Sequence, residues 1–468
     1  MGICGTAMAS LAGILKDKGF QVSGSDSNPY PPMSTQLEKL GIQIKTPYQA
    51  QNLNSRPDFV VVGNVISAHN PEAIELMKLQ IPYSSLPKAL GDLILKNHDT
   101  ICVSGTHGKT TTTSMMSWVL EMAGKKPGFL IGGIPKNFNF SFRNPEKDAP
   151  YFVIEGDEYD TAFFDKVPKF VHYRPKHVIL TSIEFDHADI YKDLDDVKAA
   201  FRRLLKLIPV NGSLIFHEQE SNIKDLLDDT NTSHIYSYGF NKVTQDRHAR
   251  CEVISVSEQG TEFRVHFKGK VLGPFKLLQP GDYNVLNATA VALQAYLLGV
   301  SMETVQKALN QFQGVKRRQE ILGEPGGRLV IEDFAHHPTA VLETLKGLKK
   351  KYPQKKLIAI FEPRSATSRR KVFQKDYAQA FQVAQQVYLM QAFDTSKIPE
   401  SDRFSVDELI QDLNKSKSQP WAQAHGNVES IVKHVQKESQ SGDLIVIMSN
   451  GGFDGIYGKL MSALTVIT

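Results

Sequence analysis

Short apolar runs alternate with amphipathic stretches along the chain, the pattern of strands alternating with helices. Near the start, Met8, Leu11, Ala12, Ile14 and Leu15 recur at helical spacing. Lys18-Gly19 ends that helix, and residues 20–26 read as a short strand tipped by Asp26. The apolar run 59–62 predicts a strand and 71–79 a helix, completing a small α/β unit over residues 1–98. A second unit, 99–315, opens with a strand at 100–104. It continues through strands at 151–155 and 177–181, a helix at 194–207 and a closing helix at 284–298. Between 212 and 279 the pattern changes to alternation (Phe263, Val265, Phe267) with a turn at Gln259-Gly260, which predicts an antiparallel insertion or extra sheet. A third α/β unit, 316–468, carries strands at 329–332, 357–361, 387–390 and 444–449.

Composition agrees with three domains. The chain has 468 residues, 41% hydrophobic and 22% charged, enough apolar material for several cores and too much for disorder. A net charge of +4 gives no case for a nucleic-acid protein, although it leaves room for local phosphate sites. No uninterrupted apolar run approaches eighteen residues, so no membrane-spanning helix is expected. Cys4, Cys102 and Cys251 are too few and scattered for a disulfide framework, and they fit a reducing, cytoplasmic setting.

The first residues, Met1-Gly2-Ile3-Cys4-Gly5-Thr6, satisfy the spacing of an N-myristoylation signal. They also read as a glycine turn, and the helix, strand and terminal Asp26 that follow give the dinucleotide-fold layout. Cys4 and Ala7 stand where two further glycines are usual. A buried strand normally precedes such a turn, so residues upstream of Met1 are expected.

The strongest chemical signal is Ser104-Gly105-Thr106-His107-Gly108-Lys109-Thr110-Thr111, between an apolar strand and a helical run ending at Gly124. Glycines let backbone N–H groups turn toward phosphate oxygens, the lysine reaches the terminal phosphates, and the next hydroxyl ligates Mg2+. Val103 stands where a strict P-loop has its first glycine. Acids follow at strand tips: Glu155, with Gly156-Asp157-Glu158-Tyr159-Asp160 after it, and the cluster Glu184, Asp186, His187 and Asp189. Parallel strands converge at their C-terminal ends, which puts Glu155 beside the loop. His187 is equally a metal ligand or a structural histidine, and Asp189 reads as a solvated turn. Asn284 and Asn287 lie three apart on one helix face, able to bond a base or cap the helix. Glu332-Asp333-Phe334-Ala335-His336-His337-Pro338 again joins a strand to a helix. The lysines at 349–351 read as a solvated helix end.

Taken in order, Gly105-Thr106-x-Gly108-Lys109-Thr110-Thr111, Glu155-x-Asp157-Glu158, Asp186-His187-x-Asp189, Asn284-x-x-Asn287, Arg317-Arg318 and Asp333-Phe334-x-His336-His337-Pro338 resemble the Mur ligases over the whole chain. The resemblance implies three domains: a Rossmann-like N-terminal domain for a UDP-sugar, a central P-loop ATPase-type α/β domain, and a Rossmann-like C-terminal domain for the acceptor. It implies ATP-dependent, ADP-forming amide-bond synthesis through an acyl phosphate, with ATP and Mg2+ required.

The glycine start and paired histidines are most similar to the branch acting on UDP-N-acetylmuramate. Tyr30-Pro31-Pro32-Met33-Ser34-Thr35, Phe163-Phe164-Asp165-Lys166, Lys169-Phe170-Val171-His172-Tyr173, Phe185-Asp186-His187-Ala188-Asp189-Ile190 and Met448-Ser449-Asn450-Gly451-Gly452-Phe453 look closer to its recycling members. Those add the tripeptide L-Ala-γ-D-Glu-meso-diaminopimelate rather than L-alanine.

By the same resemblance, Gly105, Thr106, His107, Gly108, Lys109, Thr110 and Thr111 bind the phosphates, with Arg318. Thr110 and Glu155 hold one Mg2+, and Glu155 with His187 a second. Asn284 and Asn287 face the adenine, Asp333 the ribose, and Gly2, Gly5 and Asp26 the UDP group. His336 and His337 are candidates for a general base, with a structural role equally open. Arg364, in a run rich in forked donors, is expected to bind a peptide carboxylate. Besides the L-alanine-adding and folylpolyglutamate-type ligases, the rival of another class is a regulatory P-loop ATPase, which explains the loop and leaves the later motifs unused.

Overall fold

The computed structural model describes residues 1–29, 33–242, 246–415 and 420–465. The central sheet explains the rest of the architecture. Its strands carry apolar residues at successive positions, and the pleat sends them alternately to two faces. Ile101, Val103, Val153, Ile179 and Ile215 enter one core with the helices Lys109–Met122 and Asp282–Leu297. Cys102, Phe152, Ile154, Val178, Leu180 and Leu214 enter the other, beneath the helix Leu194–Leu207. The second core also takes Met8, Leu11 and Ile14 of the helix Thr6–Asp17 and Leu86 and Leu90 of the helix Leu86–Leu93, so the N-terminal unit is seated on the central sheet.

The segment 212–279 is not an insertion. One ten-stranded sheet runs in the order Lys270–Leu277, Gly260–Phe267, His248–Ser257, Ile235–Gly239, Ser213–His217, Pro175–Leu180, Asp99–Ser104, Tyr151–Gly156, Gly128–Leu130, Phe142–Arg143. Ser213–His217 and Ile235–Gly239 extend it in parallel. Antiparallel pairing begins only where His248–Ser257 meets Gly260–Phe267, around the foreseen turn. Ser213–His217 reads as a continuous apolar run because both its faces are covered.

The N-terminal unit has two parallel two-stranded ladders, Ser23–Ser25 with Gln43–Lys45 and Val60–Val62 with Tyr83–Ser85. Residues 1–3 lie between them. Gly2 and Ile3 donate to the Ser25 carbonyl (2.8 and 3.0 Å), while Gly63 N–H donates to Met1 O (3.0 Å). The C-terminal unit is a six-stranded sheet in the order Glu320–Gly323, Leu329–Asp333, Leu444–Met448, Leu357–Phe361, Gln386–Met390, Ala422–His425, parallel except at Glu320–Gly323. Its Ala422–His425 strand, half polar, carries no strong sequence signal. The connection at 314–316 is tied to the central unit: Lys136 N–H donates to Gly314 O and Lys316 N–H to Ile134 O, both at 3.0 Å.

Candidate active site

The loop after Asp99–Ser104 turns sharply and needs two glycines to do so. Gly105 has φ +129° and Gly108 +81°, conformations L side chains rarely adopt. A Cβ on Gly105 would lie 2.3 Å from Thr181 Oγ1, and one on Gly108 2.9 Å from Asn287 Oδ1. The loop is held from the neighbouring strand end: Thr106 N–H donates to Ser182 O (3.0 Å), His107 N–H to Ser182 Oγ (3.1 Å) and Glu184 N–H to Thr106 Oγ1 (2.8 Å). Thr106 and His107 therefore brace the loop against residues 182–184. Lys109, Thr110 and Thr111 form the first turn of the helix Lys109–Met122.

Lys109 projects into a nest of buried acids. Its Nζ donates to Gly105 O (2.6 Å) and to Glu158 Oε2 (3.0 Å). Glu158, 2% exposed, also contacts His187 Nε2 (3.4 Å). Burial alone raises the Glu158 carboxyl, but Lys109 and His187 outweigh it and hold it below the ordinary range. Burial lowers the Lys109 ammonium, and Glu158 and Asp157 more than reverse that. Burial pulls the His187 imidazole down, and Glu158 carries it above its ordinary value. His187 sits at φ +54°, an uncommon conformation for a side chain other than glycine, with its N–H donated to Asp186 Oδ1 (2.7 Å). Behind this group, Lys169 Nζ bonds Asp157 Oδ2 (2.9 Å) and Tyr159 OH (2.8 Å), which gives 157–159 a fixed shape.

Thr110 Oγ1 donates to Glu155 Oε2 (3.0 Å), an oxygen pair of the type hard divalent cations accept. Burial, then Asp157, pushes the Glu155 carboxyl up. The structure thus brings Thr110 and Glu155 together and pairs His187 with Glu158. Glu158 was legible only as part of a motif. The signal for it is electrostatic, since a lysine beside an apolar strand needs a buried counter-charge.

Across the site, Asn284 Nδ2 donates to Gln319 Oε1 (3.0 Å) and Pro280 O (2.7 Å). Asn287 Nδ2 and Gln319 Nε2 are buried amides without a partner among the described residues, groups that a bound polar ligand would satisfy. Arg318 Nη2 reaches Thr110 Oγ1 (3.4 Å), and its guanidinium lies 4.5 Å from the centre of the Phe334 ring. Burial lowers the Arg318 pKa. Asp333 Oδ2 accepts the Gln319 N–H (2.8 Å) and Oδ1 the Ala335 N–H (2.7 Å), so this carboxylate fixes the 317–319 turn, where Arg317 and Gln319 have positive φ. The glycine cradle, free amides, Lys109 and the Thr110–Glu155 oxygens fit a Mg2+-bound nucleoside triphosphate.

Of the remaining predicted residues, those of the N-terminal unit lie apart from this centre, and His336 and His337 lie at its edge. Gly2 has φ +75° and faces Val65, Gly5 is the N-cap of Thr6–Asp17, and Asp26 Oδ2 accepts the Cys4 N–H (2.9 Å). Nearby, Asp165 accepts from Ser85 Oγ and contacts His172 Nε2, both at 2.8 Å, joining the N-terminal and central units. Tyr30-Pro31-Pro32 lie outside the described residues. Arg364 lies over Phe393 (3.7 Å to the ring centre) with Nη1 3.3 Å from Glu362 Oε1. Its stem runs so close to Gly451 that a Cβ there would be 2.2 Å from Arg364 Cδ, while one on Gly452 would meet nothing. His336 Nε2 is 3.9 Å from Asp186 Oδ2, and His337 packs its ring 4.8 Å from that of His107.

Comparison with known proteins matches residues 1–98 to the "Mur ligase family, catalytic domain", 103–295 to the "Mur ligase middle domain" and 317–451 to the "Mur ligase, glutamate ligase domain". The UDP-N-acetylmuramate–L-alanyl-gamma-D-glutamyl-meso-2,6-diaminoheptandioate ligase of Escherichia coli K12 is 39% identical over 465 residues, covering 99% of this chain and 97% of its own. The UDP-N-acetylmuramate–L-alanine ligase of Clostridium tetani is 34% identical over 452 residues, 96% of this chain and 94% of its own. Among solved structures, a murein peptide ligase from Psychrobacter arcticus superposes with a TM-score of 0.73 at 38% identity, covering all of this chain and 98% of that one.

Proposed function

The chain belongs to the Mur ligase family, and from that premise we propose that it joins the tripeptide L-Ala-γ-D-Glu-meso-diaminopimelate to UDP-N-acetylmuramate at the expense of ATP, in the cytoplasm. What carries the reading is the buried centre in which Lys109, Glu158 and His187 meet beside Thr110 and Glu155, in a chain 39% identical to a ligase of that description.

Bound ATP would supply the phosphoryl group that converts the muramyl carboxylate into an acyl phosphate, and Thr110 and Glu155 would hold the Mg2+ that offsets phosphate charge. Lys109 is already aimed through the turn, so its ammonium meets the terminal phosphates with little reorganisation. Arg318, stacked on Phe334, adds a second fixed cation. The unpaired amides of Asn287 and Gln319 receive the base side of the nucleotide. Glu158 holds His187 and Lys109 in register, and a second cation would draw His187 away from that pairing as its ligand. Gly2, Gly5 and Asp26 form the UDP end, and Arg364 offers its fork to a peptide carboxylate.

The test is product analysis. With ATP, Mg2+, UDP-N-acetylmuramate labelled with 18O in its carboxylate and the tripeptide, mass spectrometry should find the ligated product and one 18O in the released phosphate. Unlabelled phosphate would refute the acyl phosphate, and absence of the amide product would refute the ligase reading.

A further inference from the structure

Away from the oxygen pair of Thr110 and Glu155, three metal-binding side chains from three segments converge at the junction of the central and C-terminal units. We propose that His107, Glu184 and His337 form a transition-metal site, of the zinc type, which clamps the phosphate loop to the C-terminal unit. His107 Nε2 lies 3.3 Å from Glu184 Oε2, and His337 Nδ1 lies 3.5 Å from the same oxygen. The three donor atoms all lie within 4.8 Å of one another. A tetrahedral ion with bonds of about 2.0–2.1 Å sets neighbouring donors roughly 3.3 Å apart, so the two shorter separations already match.

The orientation of His337 supports the same conclusion. It is 3% exposed, and its Nε2 bonds the Phe185 carbonyl (3.2 Å). That bond requires the proton on Nε2 and leaves Nδ1 unprotonated, 3.5 Å from Glu184 Oε2, the tautomer in which a backbone carbonyl orients a ligating imidazole. Thr339 N–H also approaches Nδ1 at 3.3 Å, a long capping contact that an ion would replace. Two imidazoles and a carboxylate suit Zn2+ or Co2+, whereas Mg2+ prefers all-oxygen surroundings. Glu184 also accepts the Thr339 hydroxyl (2.7 Å) and Asp186 bonds Thr367, so the ion would reinforce a domain contact that already exists.

The inference concerns the metal alone and is independent of which acceptor the ligase uses. The chelator-stripped full chain is titrated with Co2+, followed by its visible d–d absorption, and with Zn2+ by calorimetry. The expected result is one intense, tetrahedral-type Co2+ spectrum that one equivalent of Zn2+ abolishes. Glu184→Gln, which keeps shape and hydrogen-bonding capacity, should weaken Zn2+ at least about tenfold, while His187→Ala leaves that site intact. The proposal is overturned if Glu184→Gln binds Zn2+ as tightly as the parent, if the parent shows no tetrahedral spectrum, or if His187→Ala removes the site. His337→Asn repeats the test from the C-terminal side.

Discussion

The turn at Gly2–Gly5 and the turn at Gly105–Gly108 both lead into a helix beside parallel strands, yet their surroundings differ in kind. At the first, Gly5 has an ordinary backbone conformation, and a Cβ there would meet only Gly2 O at 3.6 Å. Of the acids near it, Asp26 is engaged with a backbone N–H and Glu72 with the Ser25 hydroxyl. At the second, both glycines have positive φ and both are hemmed in by side chains from other segments. The lysine that follows sits among buried carboxylates. The contrast separates two uses of glycine: the N–H groups of the first turn are engaged within the N-terminal unit, while the second turn shapes a narrow cradle beside fixed charges.

Substitutions sharpen that contrast. Lys109→Met should cut kcat/KM for ATP-dependent ligation by roughly a thousandfold. It should also lower stability by up to about 3 kcal/mol, because buried Glu158 loses its strongest counter-charge and keeps only His187; phosphate release and denaturant melts check the two effects. Gly108→Ala drives a Cβ toward Asn287 in a strained conformation and should weaken ATP binding about tenfold by calorimetry. Arg364→Ala should raise the tripeptide KM severalfold with little change in the KM for ATP, and an unchanged tripeptide KM would remove Arg364 from acceptor binding.

The pH dependence is a smaller effect. His177 and His337 are both pushed down to about 4 by burial, whereas an unfolded imidazole protonates near 6.5. The folded state therefore binds fewer protons than the unfolded state between those values. Stability is full above about pH 6.5 and falls as pH drops toward 4, so Tm should decline over that window. Metal-free His337→Asn should flatten the decline by about 3 °C. Gly5→Ala should change least, within about 0.5 kcal/mol by denaturant melts, and a large loss there would break the contrast between the turns.

Much of the fold was legible because apolar runs and helical periodicity are local properties. The helices Pro71–Leu79 and Leu194–Leu207 fall where the pattern puts them. The antiparallel strands around Gln259-Gly260 were legible in their alternation, but the start of the 212–279 segment was misread because an apolar run does not name its sheet partner. Only register shows that Ser213–His217 lies beside Pro175–Leu180. In the site, the loop and Thr110–Glu155 could be read from spacing and strand ends. The Lys109–Glu158–His187 contacts and the His107–Glu184–His337 cluster could not, since they join segments up to 230 residues apart whose approach depends on domain docking.

The most direct test of the account is acceptor choice, measured as phosphate release from ATP and Mg2+ with UDP-N-acetylmuramate and either the tripeptide or L-alanine. The account predicts release with the tripeptide, dependent on UDP-N-acetylmuramate, and little with L-alanine. Release with L-alanine alone would contradict the tripeptide assignment, and release without UDP-N-acetylmuramate would contradict the ligase.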